Sequence, residues 1–247
     1  MSPTRLFIDQ ALECGAHVEL EGDRARYVGK VLRLARGDTV ILFDGSGDEF
    51  EAMISDFGRG RVYLHVAARR TPAVESPLDV HLLQGVSRGE RMDFVVQKAT
   101  ELGVRRITPV LTEYSVVKLD AGRREKRRLH WQNVATSACE QSGRTRPPAI
   151  DAPDGLRETL GGLDAGTASR IVLEPRASRF IAEIAEPSQG VVLLVGPEGG
   201  FSETELELAD ACGFEALGFG PRILRTETAA IAALAALQTL YGDVGRR

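Results

Sequence analysis

One stretch constrains the fold more than any other: residues 191–205, VVLLVGPEGGFSETE. Its first five residues, Val191 to Val195, are apolar without alternation and lie between Gly190 and Gly196. A strand with one wet face alternates; an unbroken apolar run reads as a strand buried on both faces, as in a parallel sheet covered by helices. The run stops at Gly196-Pro197-Glu198-Gly199-Gly200, where the backbone must turn sharply. Ser202 then has Glu205 three residues on, a capping-box signature that predicts a new helix. A strand therefore ends in a glycine-rich loop that opens a helix, and in open α/β sheets ligands sit over such loops.

A second loop of the same kind follows. Residues 217–229, LGFGPRILRTETA, come after a short apolar strand and open the last helix. Glycines at either bend alone would only make a tight turn. Two consecutive bends, each carrying a charged residue (Glu198 and Arg225), predict one ligand pocket with two walls.

At 247 residues the chain can hold one large domain or two modest ones. An apolar fraction of 43% and a charged fraction of 27% are those of an ordinary globular protein. No apolar run reaches membrane-spanning length, so no membrane partner is expected. The N-terminal MSPTRLFIDQ lacks a signal-peptide core, which favours a cytoplasmic location. Cys14, Cys139 and Cys212 are scattered and odd in number, which argues against a disulfide framework. His17, His65, His81 and His130 are equally scattered, and no Cys/His pair has zinc spacing, so no metal site is predicted. A net charge of −4 gives no global sign of nucleic acid; any such footprint must be local.

In chain order, residues 1–70 read as a small β-rich domain, with strands at 4–8, 17–20, 39–43, 50–57 and 61–67. A hairpin loop falls at 44–48. An amphipathic helix is expected over residues 24–34, with Tyr27, Val28, Val31, Leu32 and Leu34 inward and Arg24, Arg26, Lys30 and Arg33 in solvent. Residues 71–79 carry two prolines and no periodicity, and read as a linker. Residues 80–247 alternate strand and helix, the pattern of a parallel sheet with helices on both faces. Their helices are expected at 91–102, 123–142 and 226–241. The last contains AAIAALAALQTL and is apolar nearly all round, so it needs cover on more than one side. A second subunit over its outer face, giving a homodimer, is the expectation.

Basic residues cluster locally. Arg88, Arg91, Arg144, Arg146 and Arg225 sit in loops or at helix starts, and arginine forks suit phosphate contacts. RNA-facing candidates are Arg5, Arg88, Arg91, Lys98, Arg144 and Arg146.

GPEGGFSETE at 196–205, LGFGPRILRTETA at 217–229 and SRGERMDFVVQKATELGV at 87–104 together resemble the RsmE family. ACEQSGR at 138–144 and LEPRA at 173–177 fit the same pattern. These are SPOUT-superfamily methyltransferases of 16S ribosomal RNA uridine N3. The resemblance covers the whole chain and implies a PUA-like β-barrel ahead of an α/β domain whose C-terminal segment threads a trefoil knot. It implies S-adenosylmethionine as cofactor, homodimerisation, and a product, 3-methyluridine, in the small ribosomal subunit.

On this resemblance the cofactor would lie against Leu173, Glu174, Gly196, Pro197, Glu198, Gly199, Gly200, Leu217, Gly218, Gly220, Ile223, Leu224, Thr226, Thr228 and Ala229. Leu173, Leu217, Ile223 and Leu224 would pack on adenine, and Gly199 would spare the cofactor a side chain. Glu198 has two readings, a contact to a loop backbone or to the cofactor's charged end. Thr226 is expected to cap the last helix. Methyl transfer to uridine N3 needs that nitrogen deprotonated, and a fixed cation beside the uracil carbonyls favours the anion. Arg225 is the catalytic candidate, with an ion pair to Glu198 or Glu227 as its other reading; Glu140 or Glu101 is a candidate proton acceptor. Competing readings are a methyltransferase of another RNA base or of a 2′-hydroxyl, and a non-catalytic RNA-binding module. A nucleotide enzyme is disfavoured, because no G-x-G-x-x-G follows a strand.

Overall fold

The structure, a computed structural model, describes residues 3–115, 120–164, 166 and 168–245. The two ends of the chain that the expected domains include, residues 1–2 and 246–247, lie outside the described residues. The chain divides into two compact units, Met1–Glu75 with Cys139–Pro147, and Ser76–Ala138 with Pro148–Arg247. The break between Glu75 and Ser76 falls inside the stretch read as a linker. Residues 139–147, read as part of the second domain, group with the first unit.

In the first unit five strands form a half-barrel sheet: β1 (Arg5–Phe7), β2 (His17–Glu21), β3 (Thr39–Phe43), β4 (Glu49–Gly58) and β5 (Arg61–Arg70). Their order is β1-β3-β4-β5-β2, with β1 parallel to β3 and the other pairs antiparallel. Alternate residues of β2, Val18 and Leu20, point into a core with Val40, Leu42, Phe50, Ile54, Val62 and Leu64. The helix expected over 24–34 is not one amphipathic helix. A short α1 (Gly22–Arg26) passes into a π-helical turn, Tyr27–Val31. Of the residues expected inside, Val28 is buried, whereas Tyr27 and Val31 are exposed. The wider π turn breaks the 3.6-residue register on which that assignment relied.

The second unit is built on parallel strands β6 (Val80–Gly85), β7 (Arg106–Leu111), β8 (Ala149–Ile150), β9 (Asp154–Gly155), β10 (Ser169–Leu173), β11 (Val191–Val195) and β12 (Glu215–Leu217). The order is β12-β10-β11-β6-β7-β8, with β9 also on β7. All five residues of β11 are buried, as an unalternating strand requires. Leu82, Leu193 and Val195 face a core shared with α2 (Arg91–Glu101), α3 (Ala121–Ser142) and α6 (Thr226–Tyr241). Leu83, Val192 and Leu194 face α4 (Leu156–Gly161) and α5 (Glu203–Ala211) from the other side. Helices thus cover both faces. β8, β9 and α4 were not foreseen; each is at most six residues long, too short for periodicity to register.

Candidate active site

The capping box opens α5 as its sequence predicts. Ser202 Oγ accepts from Glu205 N at 3.3 Å, and Glu205 Oε2 accepts from Ser202 N at 2.9 Å. Glu205 Oε1 also accepts from Glu113 N at 2.8 Å, tying the turn after β7 to the helix.

Above the carboxyl ends of β10, β11 and β12 lies a cavity of ≈ 580 Å³. Its walls are the two glycine loops. Of the residues expected around a cofactor, Leu173, Glu174, Gly196, Pro197, Glu198, Gly199, Gly200, Leu217, Gly220, Ile223, Leu224, Thr226 and Ala229 line it. Gly218 and Thr228 do not. The Gly218 N–H donates to Arg179 O and its carbonyl accepts from Ile181 N, so its backbone is engaged with the segment after β10. Thr228 is exposed on the first turn of α6. Arg91, Pro175, Val195, Phe201, Phe219, Arg222, Arg225 and Glu227 complete the wall. Phe201 and Phe219 lie inside the glycine motifs, and their bulk beside glycine was the sequence signal for them.

The glycines answer to the loops' own packing. A Cβ on Gly199 would meet Tyr114 Cβ at 2.7 Å, and one on Gly196 would meet the Phe201 ring at 3.1 Å. Gly200 has φ +70°, which favours glycine for conformational reasons. The crowding at Gly199 is therefore with Tyr114 of the protein itself.

Glu198 contacts protein partners: its Oε1 accepts from Arg91 NH1 at 2.6 Å and from Arg88 N at 3.2 Å. Partial burial pushes its carboxyl up, but the Glu198 and Arg88 amides and the Arg91 guanidinium outweigh this and hold it below the ordinary carboxylate range. Of the two partners considered for Arg225, Glu198 is thereby engaged by Arg91. Arg225 is exposed at the N-cap of α6, lines the cavity, and forms no ion pair among the described residues. Glu227 also lines the cavity, and its Oε2 is buried with no hydrogen-bond partner among the described residues.

Thr226 does not cap α6. It is the first helical residue, and its hydroxyl donates to Gly196 O at 2.6 Å while accepting from Gln84 Nε2 at 3.0 Å. The cap position belongs to Arg225, which makes no side-chain cap bond. Neither candidate proton acceptor lines the cavity. Glu101 pairs with Lys98 at 2.8 Å, and Glu140 in the first unit accepts from Phe7 N at 3.0 Å.

The arginines named as RNA-facing separate into two sets. Arg88 and Arg91 are exposed near the first loop, and Arg146 is exposed but hydrogen-bonds Ser46 O at 2.7 Å. Arg144 is buried: its NH2 meets Glu75 Oε2 at 2.7 Å, and Glu75 Oε1 accepts from Thr145 N and Arg146 N. Arg5 pairs with Glu49 at 2.6 Å and lies over the Phe43 ring. Arg5 and Arg144 are thus used inside the first unit. Arg222, on the cavity rim and exposed, was not named from sequence.

A cavity of this size is in the range of about 300–1,000 Å³ that holds small molecules. Its apolar wall of Leu173, Val195, Leu217 and Leu224 suits a flat heterocycle. The orphaned Glu227 oxygen suits a donor group or a positive charge.

Family models match both units: an RNA methyltransferase domain over residues 74–238 and an RNA methyltransferase PUA domain over residues 20–67. The chain belongs to the ribosomal RNA small subunit methyltransferase E family. A member from Buchnera aphidicola (Schizaphis graminum) is 35% identical over 240 residues, covering 97% of each chain. One from Bacillus subtilis is 30% identical over 253 residues, covering 97% of this chain and 99% of that one. Among solved structures, the family member from Neisseria gonorrhoeae bound to S-adenosyl methionine superposes with a TM-score of 0.92 at 38% identity. It covers 98% of this chain and 99% of its own. A protein from Legionella pneumophila, solved in complex with the cofactor SAM, gives 0.93 at 38% identity, covering 98% and 100%. The α/β sheet with its preceding half-barrel is therefore the architecture of this family. No described helix is long and apolar enough to cross a membrane.

Proposed function

We propose that this chain is an S-adenosylmethionine-dependent methyltransferase of 16S ribosomal RNA in the small subunit, acting on N3 of a uridine. The observation that carries the reading is the cavity between the two glycine loops, in a chain two of whose solved relatives are complexes with that cofactor. When bound, S-adenosylmethionine supplies a methyl group activated on a sulfonium. Leu173, Leu217 and Leu224 would hold its apolar ring, and the backbone of 196–200 its polar edge. Glu227 is the wall carboxylate with an oxygen to spare.

Arg225 is the proposed catalytic group. Loss of the uracil N3 proton spreads negative charge onto the two flanking carbonyl oxygens. A guanidinium with no ion-pair partner among the described residues can stabilise that charge, and the N-terminus of α6 beside it adds positive potential. Arg88, Arg91 and Arg222, exposed near the cavity, are proposed to contact RNA phosphates. The threading of the C-terminal segment into a knot belongs to the same reading.

The enzyme is proposed to work as a cytoplasmic homodimer through α6. Ile231, Ala232 and Ala235 on that helix are only part-buried, and Leu240 is exposed. Transfer of tritium from labelled S-adenosylmethionine to small ribosomal subunits, followed by nucleoside analysis, tests the activity. The expected product is 3-methyluridine. A label on a ribose 2′-hydroxyl or on another base would replace this reading with a different methyltransferase.

A further inference from the structure

Gln84 is the last-but-one residue of β6 and is fully buried. Leu82 and Leu83 before it are apolar and buried, and the strand is paired with β11 on one side and β7 on the other. The sheet has no use for an amide there, and leucine would serve it better. The amide is also half used. Gln84 Nε2 donates to Gly85 O at 3.2 Å and to Thr226 Oγ1 at 3.0 Å, while Oε1 is buried with no partner among the described residues. Flipping the amide would set its oxygen against the Gly85 carbonyl, so this orientation is the one the surroundings permit.

Thr226 is equally out of place in its own element. At the first position of α6 it caps nothing, and threonine is a middling helix former. Its hydroxyl hydrogen goes to Gly196 O and its lone pair receives the Gln84 amide, which uses it fully. Next to this chain, a Cβ on Gly85 would strike Pro197 N at 2.4 Å, so the first glycine loop is seated directly on the end of β6. Three segments meet at one largely buried joint: the end of the central strand, the start of the first glycine loop, and the start of α6 where the second loop ends.

We propose that Gln84, acting through Thr226, is a positioning residue for cofactor binding: the Gln84–Thr226–Gly196 relay sets the gap between the two walls of the cavity. The inference rests on the reading of that cavity as the cofactor site. Gln84 does not line the cavity; it fixes the Gly196 carbonyl and the first turn of α6 relative to each other through Thr226. A buried chain of satisfied donors holds two segments in one arrangement more sharply than apolar contact does.

The test measures S-adenosylmethionine affinity by calorimetry, alongside the thermal midpoint, for Gln84→Leu, Thr226→Val and Thr226→Ser. Gln84→Leu and Thr226→Val are expected to bind about tenfold or more weakly, the order of one lost buried hydrogen bond. Gln84→Leu should keep the wild-type midpoint or exceed it, because it removes an orphaned acceptor. Thr226→Ser retains the hydroxyl and should restore affinity. The double variant should be no weaker than either single one, since both cut one chain. Unchanged affinity in Gln84→Leu overturns the proposal. So does a loss that Thr226→Ser fails to rescue, or one that merely tracks a falling midpoint. Leu224→Glu, which places a charge on the apolar wall of the cavity, separates the two claims. If it also leaves affinity unchanged, the cavity reading fails; if it alone weakens binding, the relay fails and the cavity stands.

Discussion

Arg225 and Arg144 show how two residues of one type divide by what surrounds them. The Arg225 side chain pairs with no carboxylate among the described residues, so its removal should spare the fold. Arg225→Ala is expected to lower turnover about 100-fold or more, the scale of one lost charge-stabilising donor, with cofactor affinity retained. Single-turnover kinetics at saturating cofactor checks this, and unchanged turnover removes Arg225 from the mechanism. Arg144 is the opposite case. Removing it leaves the part-buried Glu75 without its charged partner, and breaking a fully buried pair costs about 3–5 kcal/mol, which is the upper bound here. Arg144→Ala should therefore show a lowered denaturant midpoint, whereas an RNA-contact role would leave stability intact and weaken binding alone. Sequence could not separate the two arginines. Both follow a glycine-containing loop motif, and Glu75, which decides the matter, is 69 residues away from Arg144.

At the scale of elements, the parts readable from sequence were those whose cause is local. The buried run of β11 and the Ser202–Glu205 capping box both follow from residues within a few positions of each other. Ser202→Ala should cost about 1 kcal/mol, read as a shift in the unfolding midpoint. A cost near zero would mean that Glu205 alone, through Glu113, holds the start of α5. The elements misread were those with a distant cause. Thr226 looks like a cap until Gly196 and Gln84 are brought beside it. The 24–34 segment looks like an amphipathic helix until a π turn shifts its register. A glutamine directly after the buried Leu82-Leu83 pair of β6 was the one local sign of the relay. The glycine loops were legible as a two-walled site, yet the reason for Gly199 lies in Tyr114, remote in sequence. The knot implied by the family resemblance has no signature in periodicity at all.

For the molecule as a whole, pH offers a separate handle. His81 on β6 is largely buried, and burial together with the Arg106 charge lowers its pKa from 6.5 to about 4, against the attraction of Asp151. Its Nε2 lies 2.7 Å from Thr108 Oγ1, whose hydroxyl in turn donates to Asp151, so the imidazole is neutral and donates from Nε2. Between the two pKa values the unfolded chain binds a proton that the folded chain does not. Stability from this group is therefore complete above about pH 6.5 and is lost as pH falls toward 4, by up to about 3 kcal/mol. Urea unfolding at pH 7 and pH 4.5 should show a steeper loss for the wild type than for His81→Gln; parallel losses would contradict it. Overall architecture was the most legible level, because strand–helix alternation and a β-rich N-terminal stretch are properties of composition along the chain. The return of residues 139–147 to the first unit was not legible, since it depends on Glu75 accepting from Arg144, Thr145 and Arg146 at once.

The central claim is that two neighbouring bends of the backbone enclose the methyl donor. A crystal of the full chain grown with S-adenosylmethionine tests it most directly. The account predicts density for the adenosyl group against Leu173, Leu217 and Leu224, within reach of the 196–200 backbone and with Arg225 facing the methyl-bearing end. Donor density at any other place on the chain, with this cavity filled only by water, would contradict it.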